Sequence, residues 1–328
     1  MAPGPQGRGR RLRERSQLLG TVRDYFFGGG FIEIEPSPVV ERPGMELHID
    51  SVEVGDRYLI SSPEFQLKRL LVEGYRRIFA ICRCFRAGES GHQHSIEFTM
   101  LEWYRAGEPL ETIMTDCEAL LLAVAEAVSG SAMLGVDGRD IDVSEPFERV
   151  TVAQLFRDHI GCALRGDETR DQLATALAGA GIDTGTAEHW DDLFYTAFVD
   201  RIEPALAARE RPVFVIDWPK PLAALARPKP GNPAVVERFE LYVGGVELAN
   251  AFGELTDAAE QRRRFEAERA ERAARGKPAY LLDERFLAAL EAGMPESAGI
   301  ALGIDRLAML AIGAEHIAEV QAFGDGEV

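Results

Sequence analysis

Apolar residues recur at helical spacing over Arg13–Phe27, where Leu18, Leu19, Val22, Tyr25 and Phe26 share one face. Gly28-Gly29-Gly30 ends that helix. Because the glycines lead into a strand-like run, Phe31–Glu35, they predict a turn and not a phosphate loop. Ser62-Pro63-Glu64 opens a second helix, with serine as N-cap and proline in the first turn, and Gly74 stops it. Ile78–Arg86 and Ile96–Tyr104 read as long strands joined by a polar loop rich in glycine and histidine. Ile113, Met114, Cys117, Leu120, Leu121 and Val124 predict a helix over Glu111–Val128. Residues 130–235, rich in alanine, glycine and proline, read as a mostly helical insertion with a loop at Pro228–Pro233. Gly244-Gly245 between Phe239–Val243 and Val246–Phe252 is a hairpin signal. Asp257 with Glu260 caps a charged helix that stops at Gly276, and the short strand Gly299–Leu302 enters a helix over Asp305–Ile312. Antiparallel strands with helices grouped between them predict an α+β fold with one main sheet.

Composition narrows the function more than the fold. The 328 residues are 46% hydrophobic and 27% charged, which suits one large globular domain or two ordinary ones. Lys+Arg is 36 against Asp+Glu 54, a net charge of −18 that disfavours nonspecific nucleic-acid binding. No apolar stretch approaches the roughly 18 residues of a membrane helix. Residues 1–12 are basic but run into no apolar segment, so they are expected to form a flexible arm and not a secretory signal. Cys82, Cys84, Cys117 and Cys162 lack zinc-site spacing and read as free thiols, which places the protein in a reducing cytoplasm.

Three stretches carry chemistry. Around Arg86 and His94–Tyr104, strand alternation puts Phe98, Met100, Glu102 and Tyr104 on one face. That face spans roughly 20 Å, enough to underlie an extended nucleotide conjugate. An aromatic at one end suits a base, and a Tyr–Glu pair at the other suits a cation. In the Gly244-Gly245 hairpin, Tyr242 is expected opposite Glu247 with Glu240 on the same face; two carboxylates placed so repel unless a cation such as Mg²⁺ joins them. Gly299, Ala301 and Gly303 form a strand face of little bulk on which a ligand is expected to lie, and Arg306 then sits in the first turn of a helix, where a phosphate is favoured.

Together these stretches resemble motifs 2 and 3 of the class II aminoacyl-tRNA synthetases in their lysyl form. Arg86 with His94-x-x-Glu97-Phe98-Thr99-Met100-Leu101-Glu102-Trp103-Tyr104 is similar to motif 2, Gly303-Ile304-Asp305-Arg306 to motif 3, and Glu247 to Asp257 to the lysine-site strand. The resemblance spans about residues 13–325 and leaves no room for an anticodon-binding domain. The wording at Ser62-Pro63-Glu64, Leu67 to Leu71 and Glu102 to Arg105 is similar to the free-standing elongation factor P–lysine ligases.

The resemblance implies a class II synthetase catalytic domain over 13–328, mostly antiparallel and flanked by helices, acting as a homodimer. It implies ATP-dependent activation of lysine or (R)-β-lysine as an adenylate and transfer to a lysine of elongation factor P, without stable tRNA binding. Arg86 and Arg306 are the implied catalytic residues. Glu89, His94, Phe98 and Glu247 join them around ATP, with adenine stacked between Phe98 and Arg306. Glu64, Tyr104, Asn250, Glu254 and Ala301 are implied around the amino acid, and Glu240 and Glu247 around Mg²⁺. Ala301 stands where lysyl synthetases carry glycine, which fits a preference for (R)-β-lysine.

Departures keep two alternatives open: a silent nucleotide-binding regulatory paralogue, and a lysyl-tRNA synthetase-like aminoacylating enzyme. Ala87-Gly88 replace the family's Asn-Glu, with Glu89 one place later, and the motif 1 proline at Pro36-Ser37-Pro38 is displaced by one. Strict alternation also puts Glu247 on the opposite face from Asn250 and Glu254. A bulge near Ala249–Ala251 is therefore expected.

Overall fold

The computed structural model describes residues 5–324 and Glu327. Helix α1 (Pro5–Gly28) leads into the edge strand β1 (Ile32–Glu33), and a small three-stranded flap of Val39–Val40, Glu53–Val54 and Arg57–Leu59 follows. Helix α2 (Glu64–Val72) precedes the long hairpin of β2 (Arg77–Phe85) and β3 (Glu97–Ala106), then helix α3 (Leu110–Ser129). Two strands from within residues 130–235, β4 (Glu148–Thr151) and β5 (Val213–Pro219), and then β6 (Asn232–Val243) and β7 (Val246–Gly253) join the same sheet. Helices α4 (Ala258–Ala274) and α5 (Glu284–Gly293), strand β8 (Ser297–Gly303) and helix α6 (Ile304–Ile312) complete it.

The sheet runs β1-β2-β3-β8-β7-β6-β5-β4, with the two-residue strand Pro228–Lys229 paired off this path to β6. Its outermost pairs are parallel and the pairs between them antiparallel. One face of the sheet is apolar: Phe79, Leu101, Trp103, Leu241, Ala251, Ile300 and Leu302 pack with α1, α3 and α6 in the largest core cluster. Residues one step out of phase, such as Glu102, Glu240 and Ala301, therefore fall on the other face. Asp116 on α3 ties this layer together, accepting from Tyr25 of α1 and from Trp103 and Arg105 of β3.

Several elements depart from the expectations. Residues 1–4 of the expected arm lie outside the described residues, and from Pro5 the chain is already α1. Ion pairs from Arg8 to Glu327 and from Arg11 to Glu319 hold that turn against the chain's end, a long-range contact that local composition cannot signal. The insertion is helical only over about 152–207; before it lies the hairpin Met133–Val136/Arg139–Asp142, and β5 belongs to the main sheet. Alanine-rich composition favoured helix there, but the β-branched Val213 and Val215 are drawn into the sheet's burial. Helix α2 begins after Pro63, with no side-chain cap from Ser62. The expected loop at 228–233 is a tight hairpin in which Lys229 faces Asn232, with Gly231 at φ +81° supplying the turn.

Candidate active site

A cavity of about 800 Å³ opens on the polar face of the sheet. Register explains its floor. Tyr104, Glu102 and Met100 of β3 stand opposite Gly299, Ala301 and Gly303 of β8, and Ala301 in turn opposes Asn250 of β7. Glu240 opposes Asn250, and Tyr242 opposes Glu247. The register of β6 and β7 slips by one residue between these pairs, because Leu248 is extra. The bulge thus exists, one position before its expected range, and it brings Glu247 onto the face of Asn250. Gly244 and Gly245, at φ +57° and +91°, form the two-residue turn this hairpin requires.

One end of the cavity is built for anions. Arg306 enters it from the first turn of α6, beside Asp305, whose carboxylate is anchored by Arg15 at 2.5 Å and by the Thr99 amide at 2.8 Å. The Arg306 guanidinium donates to the Glu247 carbonyl at 2.6 Å, to His94 Nε2 at 2.7 Å and to the Gln93 carbonyl at 3.3 Å. All three acceptors are neutral, so among the described residues no carboxylate offsets its charge. Since arginine only donates, His94 Nε2 is the unprotonated nitrogen; burial and then the Arg306 charge hold this histidine below its usual value. Arg86 has only a loose pairing with Glu89, at 3.8 Å. Its guanidinium lies 5.1 Å from the centre of the Phe98 ring. The negative face of this half-buried aromatic accounts for the attraction.

The other end is built for cations. Glu102 and Glu254 are 1% and 0% exposed. Tyr104 donates to Glu102 Oε1 at 2.7 Å, while Glu102 Oε2 and Glu254 Oε1 have no hydrogen-bond partner among the described residues. Burial, followed by repulsion from Glu64, holds Glu102 well above the usual carboxylate range. Burial pushes Glu254 up to about 7 against the opposing pull of Lys68. Buried acceptors without donors are costly, and an ammonium group is the ligand that satisfies them. Glu64 faces the same space from the start of α2.

Gly299, Ala301 and Gly303 of β8 all line the cavity, and Gly299 also makes room for neighbouring side chains. A Cβ on Gly299 would lie 2.2 Å from Tyr104 Cε1 and 2.6 Å from Glu254 Oε1, so these two side chains occupy the space beside that residue, whereas a Cβ on Gly303 would meet nothing nearer than 3.6 Å. Gly299→Ala is expected to displace Tyr104 and Glu254 together and to weaken binding of a diamine probe at least tenfold. Calorimetry with the probe checks this, and wild-type affinity would refute it.

Glu240 and Glu247 are brought together as expected. Arg238 and Tyr242 each donate to Glu240 at 2.6 Å, yet burial and the Glu247 carboxylate push it up to about 7. A divalent cation would relieve that repulsion, so the donor set fits one. No group of three or more His, Cys, Asp or Glu at metal-binding separation occurs among the described residues.

Sequence reasoning missed Arg238 and Lys68. Arg238 donates to Glu240 and to Asn250 Oδ1 at 3.2 Å while stacking 4.4 Å from the Trp218 ring. Its spacing of two from Glu240 placed it on the same strand face and was a usable signal. Lys68 is four residues after Glu64 on α2, the spacing of a helical ion pair.

With this geometry in view, the comparisons are specific. The family model of tRNA synthetases class II (D, K and N) matches residues 6–326. The chain belongs to that family. Among its relatives, an elongation factor P–(R)-β-lysine ligase of Edwardsiella ictaluri (strain 93-146) is 39% identical over 323 residues, 95% of this chain and 94% of the relative. Ligases of the same name from Klebsiella pneumoniae (strain 342) and Erwinia tasmaniensis are each 38% identical over the same coverage. The mostly antiparallel α+β sheet is the fold expected of the family. No helix among the described residues is long and apolar enough to cross a membrane.

Proposed function

We propose that this protein activates lysine, preferentially (R)-β-lysine, with ATP and transfers it to a lysine side chain of elongation factor P. The observation that carries the reading is the polarity of one cavity. Arg306, whose charge no carboxylate matches among the described residues, stands at one end, and the unpartnered Glu102 and Glu254 oxygens stand at the other. The names of the relatives support the same substrates.

In the first step the amino-acid carboxylate attacks the α-phosphorus of ATP, and pyrophosphate leaves. In the second, the acceptor lysine amine attacks the acyl carbon, AMP leaves and the amine's proton passes to solvent. Arg86 and Arg306 hold the phosphates and steady charge as it develops. Phe98 and Glu89 contact the base, and His94, neutral, approaches the terminal phosphate. Glu102, Tyr104 and Glu254 hold the ε-ammonium, Glu64 holds the second amine, Asn250 assists, and the Ala301 methyl shapes the pocket between Glu102 and Asn250. Glu240 and Glu247 would hold Mg²⁺, which when bound would offset phosphate charge. We place the protein in the cytoplasm, as a homodimer through α1 and β1, where Phe27 and Ile32 are exposed apolar residues. The net charge of −18 supports a protein acceptor over tRNA.

ATP–pyrophosphate exchange with α-lysine and (R)-β-lysine, followed by the mass of treated elongation factor P, tests the reading. Exchange favouring (R)-β-lysine with a matching mass gain is expected. Absence of exchange with either amino acid overturns it in favour of a regulatory paralogue, and transfer to tRNA instead makes the protein an aminoacylating enzyme.

A further inference from the structure

Lys68 lies behind the cavity wall, 1% exposed, and contributes nothing to its lining. Its ammonium is 2.6 Å from Glu254 Oε2 and also pairs with Glu64, so one buried cation bridges the carboxylates proposed to receive the substrate's two amines. Burial opposes that charge, but the two carboxylates overcome it and hold Lys68 above the ordinary lysine value. With Glu102, three carboxylates meet at this end of the cavity against one resident cation. Within this trio, when all three carboxylates are ionised, the surplus is two negative charges.

We propose that Lys68 is the fixed counter-ion that sets this surplus, so that the pocket is matched to an amino acid carrying two ammonium groups. The inference rests on the amino-acid-activating function above and adds the residue that sets its charge selectivity. The argument is one of charge balance in a dry site. Two substrate ammoniums plus Lys68 neutralise Glu64, Glu102 and Glu254. A mono-ammonium analogue such as norleucine leaves one carboxylate buried without a partner, which is strongly unfavourable. Lys68 therefore acts as a positioning residue, through Glu64 and Glu254, and does not touch substrate. The other charged or titratable groups facing the trio are Tyr104, Cys82, Glu46, Glu268, Arg86 and Arg227, and burial with the neighbouring carboxylates pushes Glu268 up to about 8. Among them Arg227 is engaged with Glu237 and Arg86 faces Glu89, so neither substitutes for Lys68.

The test compares Lys68→Met and Lys68→Arg in two measurements. The first is the difference proton titration of the ligand-free protein against wild type. The second is the pH dependence of KM and kcat for pyrophosphate exchange with lysine, (R)-β-lysine and norleucine. An opposite charge at this range lowers a carboxylate by about 1–3 units, so Lys68→Met is expected to raise the pocket's titration midpoint by that amount. Ammonium binding needs the ionised carboxylates. KM for the diamine substrate should then rise about tenfold per unit at neutral pH while kcat changes little, and Lys68→Arg should restore the profile. Titration and KM profiles that superimpose on wild type overturn the proposal. So does a loss of kcat and thermal stability with an unmoved pH profile, which marks a purely structural lysine. Wild-type protein that exchanges with no amino acid overturns the functional reading instead, and the titration alone then decides whether Lys68 is the counter-ion.

Discussion

Arg306→Ala is expected to lower lysine-dependent pyrophosphate exchange by about 10²–10³-fold, the usual cost of removing one preorganised donor from a developing anion. The magnitude follows from what the guanidinium does in the ligand-free protein. Its three contacts are to the Glu247 and Gln93 carbonyls and to His94, none of them charged, so its full positive charge remains available to a phosphate. The side chain is held by elements that do not depend on it, because Asp305 fixes the start of α6 through Arg15 and Thr99. The variant should therefore fold normally, and circular dichroism should superimpose on wild type. Arg306→Lys keeps the charge but loses the fork that bridges two acceptors, and partial recovery, still at least tenfold below wild type, is expected. Wild-type exchange rates in Arg306→Ala would remove this residue from the phosphate site.

The second large effect separates stability from function. Glu102→Gln is expected to stabilise the ligand-free protein by about 1–3 kcal/mol above neutral pH while reducing kcat/KM for the amino acid at least 100-fold. Glu102 is 1% exposed, accepts one hydrogen bond from Tyr104 and has no cation of its own. Its folded-state value is raised, so the native protein binds this proton more tightly than the unfolded chain does. Stability contributed by the protonated form is present at low pH and is lost as pH rises above the unfolded value, about 4.3, toward the raised folded value. The gap between Glu102→Gln and wild type should therefore widen from pH 5 to pH 8. Thermal melts across that range check the sign. A destabilised glutamine variant, or a gap that narrows with pH, would mean that Glu102 is already paired without substrate.

Much of this was legible in the sequence where a local rule governed the outcome. The alternation at Phe98, Met100, Glu102 and Tyr104 fixed their common face, and the glycine pair fixed the hairpin turn. Strand-like Phe31–Glu35, the helix over Glu111–Val128 and the strand-to-helix step at Gly303 all appear within a few residues of expectation. What escaped depended on partners distant in the chain. The first turns of α1 are tied down by Glu319 and Glu327, more than 300 positions away. Lys68 reads as one more basic residue on a helix until Glu254 is seen beside it. The role of Gly299 appears only once the Tyr104 ring and the Glu254 carboxylate occupy the space its missing Cβ leaves. The position of the bulge was missed by a residue, because alternation demands an extra residue without saying which one yields.

That single extra residue, Leu248, fixes the parity of the strand. On either side of it the chain keeps strict alternation, so Glu247 and Asn250, three positions apart, share a face only because Leu248 is taken up in the bulge. Removing Leu248 would restore plain alternation with Glu247 still on the polar face, whereas keeping Leu248 and straightening the bulge would point Glu247 into the apolar layer against α3 and α6. Turns at the tips of hairpins are ordinarily the places where chains gain and lose residues most freely. Here the loss of residue 248 would leave Glu247 in place, and what the site depends on is that this extra residue, where present, stays out of the ladder.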